Sequence, residues 1–308
     1  MTQTSAPGKI ILFGEHAVVY GRPALAAPVT ELHAEVDVSD SARKGIWLHA
    51  PDVNLYAELN TLPSDHPLAS VIHNFLFLSR VSPFPNLEIK ISSTIPVASG
   101  LGSGAAVTVA LTRALAAHLH SSMTDDEVNA FTYEIEKLHH GTPSGIDNTV
   151  VTYGMPVYFV RGQPIEIFKV GKPFTIVIAD TGISAPTRES VDDVRRLWMN
   201  DKSRWETIFD KIGEISFSAR RAIEAGKPEM LGELMNENHA LLQKLTVSSL
   251  ELDRLVEVAL RADAWGAKLS GGGRGGNMIA LVPPEKAETV SISLKAAGAK
   301  QTIITQVS

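Results

Sequence analysis

Cysteine is absent from this sequence, which excludes disulfides and metal sites built on thiolates. A positive charge balance is also missing: the formal net charge is −6 and the pI is near 5.9. Broad binding to nucleic acid or to anionic membranes needs a positive surface, so neither is expected as a partner. A small anionic substrate stays open, provided positive groups gather locally. No apolar run approaches membrane-spanning length, and the opening MTQTSAPGK lacks a basic stretch followed by an apolar one. The chain therefore reads as a soluble cytoplasmic protein, although the missing cysteines alone do not decide the compartment. What is present is enough apolar material, 44% of 308 residues, for one large core or two modest ones. The length favours two domains.

One stretch organises the rest. Ile95–Ala106, written IPVASGLGSGAA, joins a strand expected at Leu87–Ile91, where apolar and polar residues alternate, to an alanine-rich helix expected at Ala105–His118. Gly100, Gly102 and Gly104 lie between them. Glycines let the backbone take positive φ and approach a ligand, and the first turn of a helix presents unpaired N–H groups at a positive dipole end. Such a turn can hold a phosphate. It is equally consistent with a plain connector, since it fits neither the P-loop nor the dinucleotide fingerprint.

The chain begins with a short apolar strand expected at Lys9–Phe13, entered through Pro7-Gly8 and left through Gly14-Glu15-His16. Polar residues at a strand end suit the presentation of chemistry, but the segment alone favours a plainer picture: Lys9 snorkels to the surface, and Glu15 and His16 solvate a turn. Strands are expected at Leu32–Val38 and Gly45–Ala50, a helix at Pro67–Arg80 and a loop at Ser82–Asn86. A capping box, Thr124 to Glu127, opens a helix to His139 that carries Glu136 near its C-terminal end. A carboxylate there opposes the helix dipole; it is either a solvated misfit or a metal ligand. His139 and His140 read as helix-terminal histidines. Gly141–Asn148 reads as a rigid turn ending in Asp147, eleven residues after Glu136, so the two acids can fold back toward one cleft.

Further strands are expected at Pro156–Val160, Ile165–Val170 and Phe174–Ala179. From Ser190 to about Asp263 the period is helical throughout. Gly226 and Pro228 break one helix. Ser248 to Glu251 reads as a second capping box, and Leu231, Leu234, Met235 and Leu242 share a core face. Ala267-Lys268-Leu269-Ser270 leads into a second glycine-rich loop, Gly271 to Gly276, before a strand at Asn277–Val282, a helix after Pro283-Pro284 and a closing strand at Thr302–Val307. The shift in period places the domain boundary within residues 160–185, giving domains 1–170 and 171–308.

Three separated segments carry more weight together than apart: PGKIILFGEHAVVYG at Pro7–Gly21, IPVASGLGSGAA at Ile95–Ala106, and KLSGGGRGGNMIAL at Lys268–Leu281. Their order and spacing resemble the GHMP small-molecule kinases, the superfamily of galactokinase, homoserine kinase, mevalonate kinase and phosphomevalonate kinase. GEHAVVYG, the segment GTPSGIDNTVVTYG at Gly141–Gly154 and the stretch from IADTG to Thr187 are most similar to the mevalonate kinase branch. The likeness covers nearly the whole chain. It implies a two-domain α+β fold with the active site in the cleft between the domains.

The resemblance also implies roles. ATP phosphates would lie on the first glycine turn, against Pro96, Ser99, Gly100, Leu101, Gly102, Ser103, Gly104 and Ala105, with the second glycine loop, including Gly272, closing near the phosphates or the substrate. Asp147 matches the catalytic aspartate, Lys9 the lysine beside it, and Glu136 the carboxylate that binds Mg²⁺. Glu15, His16 and Thr187 match positions lining the mevalonate side. Phosphoryl transfer asks a protein mainly for positioning and charge neutralisation. Asp147 would accept the proton of the C5 hydroxyl of mevalonate, and Lys9 would keep that carboxylate ionised. A homodimer is also implied.

Two departures from the pattern stand out. The family's first loop has two adjacent serines, whereas here Ser103 is followed by Gly104; either Ser103 reaches Mg²⁺ or Glu136, phosphates and water hold it. In the last loop Arg274 replaces a commoner glycine and Asn277 a common cysteine. Arg274 either contacts a phosphate or carboxylate or faces solvent, and Lys137 is a substrate partner or a solvated helix residue. The competing functions are another acceptor, such as phosphomevalonate, a sugar or homoserine, and a non-catalytic nucleotide-binding member. A metal hydrolase built on Glu15 and His16 fares worst, because HExxH spacing is lacking.

Overall fold

The computed structural model describes residues 1–96, 99–140, 143–184 and 187–308, the side chains of 139 and 140 excepted. The expectations for Val97 and Ala98 in the first glycine turn, for Gly141 and Thr142, for Ala185 and Pro186, and for the two histidine side chains fall outside those residues. The chain forms two compact units. One comprises residues 1–8, 32–97 and 102–154, and the other 9–31, 98–101 and 155–308. Among the described residues no helix is long and apolar enough to cross a membrane.

Strands β1 (Thr2–Phe13) and β2 (Ala24–Asp40) pair with each other and run through both units. Both exceed their expected lengths. Alternation exists only from Leu32 onward, where Leu32, Ala34, Val36 and Val38 are buried and their neighbours are not. From Ala24 to Val29 every residue is buried, so the strand is covered on both faces and has no period of two to be read. Pro28, which has no N–H to donate, lies between the residues paired in the two units.

In the first unit, β3 (Ile46–Ala50), β4 (Leu55–Glu58) and β5 (Leu87–Ser93) join β2 in the order β4-β3-β5-β2. Helices α1 (Pro67–Leu78), α2 (Ser103–His118), α3 (Asp125–His140) and α4 (Ile146–Tyr153) pack on one another, with α2 also against β5. The Thr124 capping box forms: the Thr124 backbone N–H donates to Glu127 Oε2 at 2.8 Å, and Glu127 N–H to Thr124 Oγ1 at 3.3 Å. Helix α4 replaces the expected rigid turn at its C-terminal part, so Asp147 stands in a first helical turn. Its buried face carries Asn148, Thr149 and Thr152, polar residues that hide a helical period. Asn148 donates to Asn129 Oδ1 and Thr149 to the Gly145 carbonyl, which offsets part of the cost of that burial.

In the second unit, β6 (Val157–Phe159) pairs with the first half of β2 and with β7 (Glu166–Ile167). A second sheet, antiparallel throughout, has the order β11-β8-β10-β9, built from β8 (Phe174–Asp180), β9 (Gly266–Ser270), β10 (Asn277–Val282) and β11 (Gln301–Val307). The helices are α5 (Thr187–Asn200), α6 (Lys202–Glu224), α7 (Leu231–Lys244), α8 (Leu250–Arg261) and α9 (Ala287–Ala296). Helices α7 and α8 cover β9, and α9 covers β8 and β11. Leu231, Met235 and Leu242 are fully buried, while Leu234 is only half-buried, at the margin of the face assigned to it. The cap of α8 is Ser249, one residue later than expected, accepting from Leu252 N–H at 3.3 Å. Leucine at the third helical position cannot return a bond, so no reciprocal box forms, and Ser248 instead donates to Asp253.

Candidate active site

The turn after β1 is buried in the second unit. Lys9, Glu15 and His16 are 6%, 4% and 5% exposed, so none of them solvates a turn or snorkels outward as the segment alone suggested. Gly14 makes the turn possible: at φ +94° a Cβ would lie 2.4 Å from both Ala24 Cα and the Pro23 carbonyl oxygen. The following 3₁₀ turn, Ala17–Tyr20, is anchored on α6, where Tyr20 stacks on Phe209 with ring centroids 4.1 Å apart. Arg22 then bridges Glu206 and Asp210 of the same helix.

Glu15 meets Lys268, a residue the sequence analysis passed over. Lys268 sits in the middle of β9 with no exposed surface, and its Nζ pairs with Glu15 Oε1 and donates to the Leu269 carbonyl at 2.7 Å. The signal was an isolated charge between the apolar Ala267 and Leu269 in a short strand, where burial calls for a counter-charge. Burial pushes the Glu15 carboxyl up and the Lys268 ammonium down, and their mutual attraction opposes both shifts. The other carboxylate oxygen, Oε2, has no hydrogen-bond partner among the described residues.

His16 holds a left-handed φ of +60°, which bulky residues seldom adopt and which concentrates at functional sites. Its Nε2 lies 3.0 Å from the Gly272 carbonyl oxygen. A carbonyl only accepts, so Nε2 carries the proton and Nδ1 of the neutral ring is an acceptor. Nδ1 has no partner among the described residues. Burial lowers the pKa of the ring to about 4, and the charges of Arg274 and Lys268 add to that effect against the Gly272 bond.

Residues 271–276 are the loop of the β9–β10 hairpin, in which Ser270 faces Asn277. Its base is tied on several sides. Ser270 Oγ donates to the Ile11 carbonyl at 2.8 Å, Asn277 Nδ2 to the Ser99 carbonyl at 2.6 Å, and Gly276 N–H to the Ile183 carbonyl at 2.8 Å. The loop, with Ser99, Gly100, Ile183 and Thr187, lines a small pocket of about 60 Å³. Gly272 has to be glycine there, because a Cβ would come within 2.8 Å of Thr187 Oγ1 and 3.1 Å of its Cα. Glu15, His16, Thr187 and Gly272 are thus gathered about one loop.

The first glycine turn is shared between the units. Ser99, Gly100 and Leu101 belong to the second, where the Leu101 carbonyl accepts from the Lys9 backbone N–H at 2.9 Å. Pro96, Gly102, Ser103, Gly104 and Ala105 belong to the first. Gly102, at φ +79°, is the N-cap of α2 and offers no side chain to the helix's first N–H groups, which leaves them to a ligand. Ser103 and Gly104 form the first turn, and Ala105 is buried.

Also in the first unit, Asp147 is half-buried at the N-terminal turn of α4, where the dipole favours negative charge, and Glu136 is half-buried near the end of α3. Helix α2, which carries Ser103, packs on both α3 and α4. Among the described residues no group of three or more histidines and carboxylates could hold a metal by itself. One carboxylate and one hydroxyl are nevertheless suitable hard donors for Mg²⁺, which binds through one or two protein oxygens completed by phosphate and water. Lys137 pairs with Glu134 at 2.6 Å on an exposed face, in keeping with the solvated reading.

A helix-capping glycine turn, a buried acid–lysine pair and a glycine hairpin loop together define a small-molecule phosphotransferase of the GHMP class. Residues 69–155 match the family model described as GHMP kinases N terminal domain, and residues 219–300 match GHMP kinases C terminal. The mevalonate kinase of Pyrococcus abyssi is 37% identical over 311 residues, covering 96% of this chain and 92% of that protein. The crystal structure of L. major mevalonate kinase in complex with R-mevalonate superposes with a TM-score of 0.88 at 29% identity, covering 100% of this chain and 96% of the other. The Methanococcus jannaschii mevalonate kinase structure gives 0.86 at 28% identity, with coverage of 99% and 96%. The chain belongs to the mevalonate kinase family of the GHMP kinases.

Proposed function

We propose that this chain transfers the terminal phosphoryl group of ATP to the C5 hydroxyl of (R)-mevalonate, releasing ADP and (R)-5-phosphomevalonate for isoprenoid synthesis. The observation that carries the choice of an alcohol substrate is the pair of buried acceptors, Glu15 Oε2 and His16 Nδ1, which have no hydrogen-bond partner among the described residues, His16 being bonded to the Gly272 carbonyl of the pocket loop. Buried acceptors need donors, and mevalonate brings hydroxyl groups. Likeness to mevalonate kinases over nearly the whole chain supports the same acceptor.

In this reading the N–H groups at the start of α2, with Ser99, Gly100 and Leu101, bind the phosphates of ATP. Thr187 and Gly272 position the acceptor with Glu15 and His16. Asp147 takes the hydroxyl proton as the new O–P bond forms and the bond to ADP breaks, and Lys9 supplies positive charge. Glu136 and Ser103 hold Mg²⁺, which when bound neutralises phosphate oxygens. The protein works in the cytoplasm as a homodimer.

A coupled ADP-release assay with mevalonate, phosphomevalonate, homoserine and galactose tests the proposal. Mevalonate should turn over fastest. A much faster rate with another alcohol overturns the acceptor, and no ADP release with any of them overturns the kinase.

A further inference from the structure

Arg274 has a backbone conformation that suits another residue type. Its φ of +59° lies in the left-handed region, which glycine enters freely and arginine enters at a cost. The GHMP loop that this one resembles usually has glycine at the position, so arginine adds strain to a hairpin already tied at its base. Strain of this kind persists where surrounding contacts hold it. Here the contacts are visible. Arg274 N–H donates to the Val247 carbonyl at 2.8 Å, its Nε to the Thr246 carbonyl at 3.3 Å, and its Nη1 pairs with Asp193 Oδ2 on α5. The two charged side chains are only 33% and 25% exposed. Of the alternatives left by the sequence, the carboxylate contact is the one present, and the carboxylate is the protein's own Asp193.

The partner's place gives the pair its consequence. Asp193 lies six residues after Thr187 on the same helix, and Thr187 is the side chain against which Gly272 closes the pocket. The loop wall and the helix wall are therefore fastened to each other through Arg274 and Asp193. We propose that this ion pair is a latch that fixes the Gly271–Gly276 loop against α5 and so sets the spacing of Thr187 and Gly272, which makes Arg274 a positioning residue for substrate binding. The inference rests on reading that pocket as part of the kinase site. The positive charge of Arg274 also reaches His16, where it adds to the effect of burial in keeping the ring neutral.

The test uses the full chain and the variants R274G, R274K, D193A, R196A and the double variant R274G/D193A. Glycine suits the backbone at 274, so R274G should fold. R274G and D193A should each raise KM for mevalonate or ATP about tenfold with kcat changed less than threefold, the double variant should be no worse than either single one, and R274K should recover part of the loss. Arg196 pairs with the same Asp193 but lies on α5 itself, so R196A should leave KM within twofold. Hydrogen exchange of the residue 271–276 amides, which needs no activity, should accelerate in R274G and not in R196A. Unchanged exchange in R274G, additive losses in the double variant, or equal effects of R196A overturn the latch. An inactive parent chain with the expected exchange pattern would instead strike the assigned reaction and leave the latch standing.

Discussion

Lys268 Nζ and Glu15 Oε1 form an ion pair between side chains with 0% and 2% exposure, across 253 residues of chain. Breaking such a pair leaves one charge buried without compensation, at a cost of about 3–5 kcal/mol. Lys268→Met should therefore lower unfolding stability by about that amount. Adding Glu15→Gln should restore part of it, because the stranded carboxylate is then removed. Urea denaturation of the single and double variants measures both, and a double variant as unstable as Lys268→Met alone would contradict the account.

His16 makes stability depend on pH in a definite direction. Its ring titrates near 6.5 when unfolded and at about 4 when folded. Between those values the unfolded chain holds more protons, so stability falls as pH drops from about 6.5 toward 4, by about 2 kcal/mol at pH 5. His16→Gln should flatten this slope in melting experiments between pH 7 and pH 5, whatever it does to activity.

Asp147→Asn keeps the shape of the first turn of α4 and removes the proposed base. Turnover should fall by about 10²–10⁴-fold while ATP binding, read by titration calorimetry, stays unchanged. Near-normal turnover would take Asp147 out of the reaction.

Gly104 has open space where a Cβ would stand. Alanine should stabilise the exposed first turn of α2 by about 0.5–1 kcal/mol. Serine, which restores the pair of serines usual in the family, should lower the Mg²⁺ concentration needed for half-maximal rate. An unchanged Mg²⁺ dependence would contradict a metal role for a hydroxyl at position 104.

What could be read in advance follows from how local each signal is. The Thr124 capping box, the alanine-rich helix after the glycine turn and the break at Gly226 depend on neighbours within a few residues, and all three form. The first half of β2 and helix α4 were hidden because burial on both faces, or polar residues on a buried face, erases the period that pattern reading needs. The motifs singled out Glu15, His16, Thr187 and Gly272, but the burial of Glu15 and His16, and the bond between His16 and Gly272, depend on contacts more than 250 residues distant. Lys268 was missed for the same reason: its meaning lies in Glu15, far off in the chain. Arg274 could be recognised as a departure, whereas its partner Asp193 could be found only in three dimensions.

The segment from residue 9 to residue 31 belongs to the same compact unit as the last half of the chain. During synthesis Glu15 and His16 leave the ribosome more than 250 residues ahead of Lys268 and the Gly272 carbonyl. At roughly 5–20 residues per second this is a wait of tens of seconds. Throughout it, the acid and the imidazole must remain hydrated. The nascent segment is thus committed to a late closure, and a chain shortened before residue 268 would carry these groups with nothing to receive them.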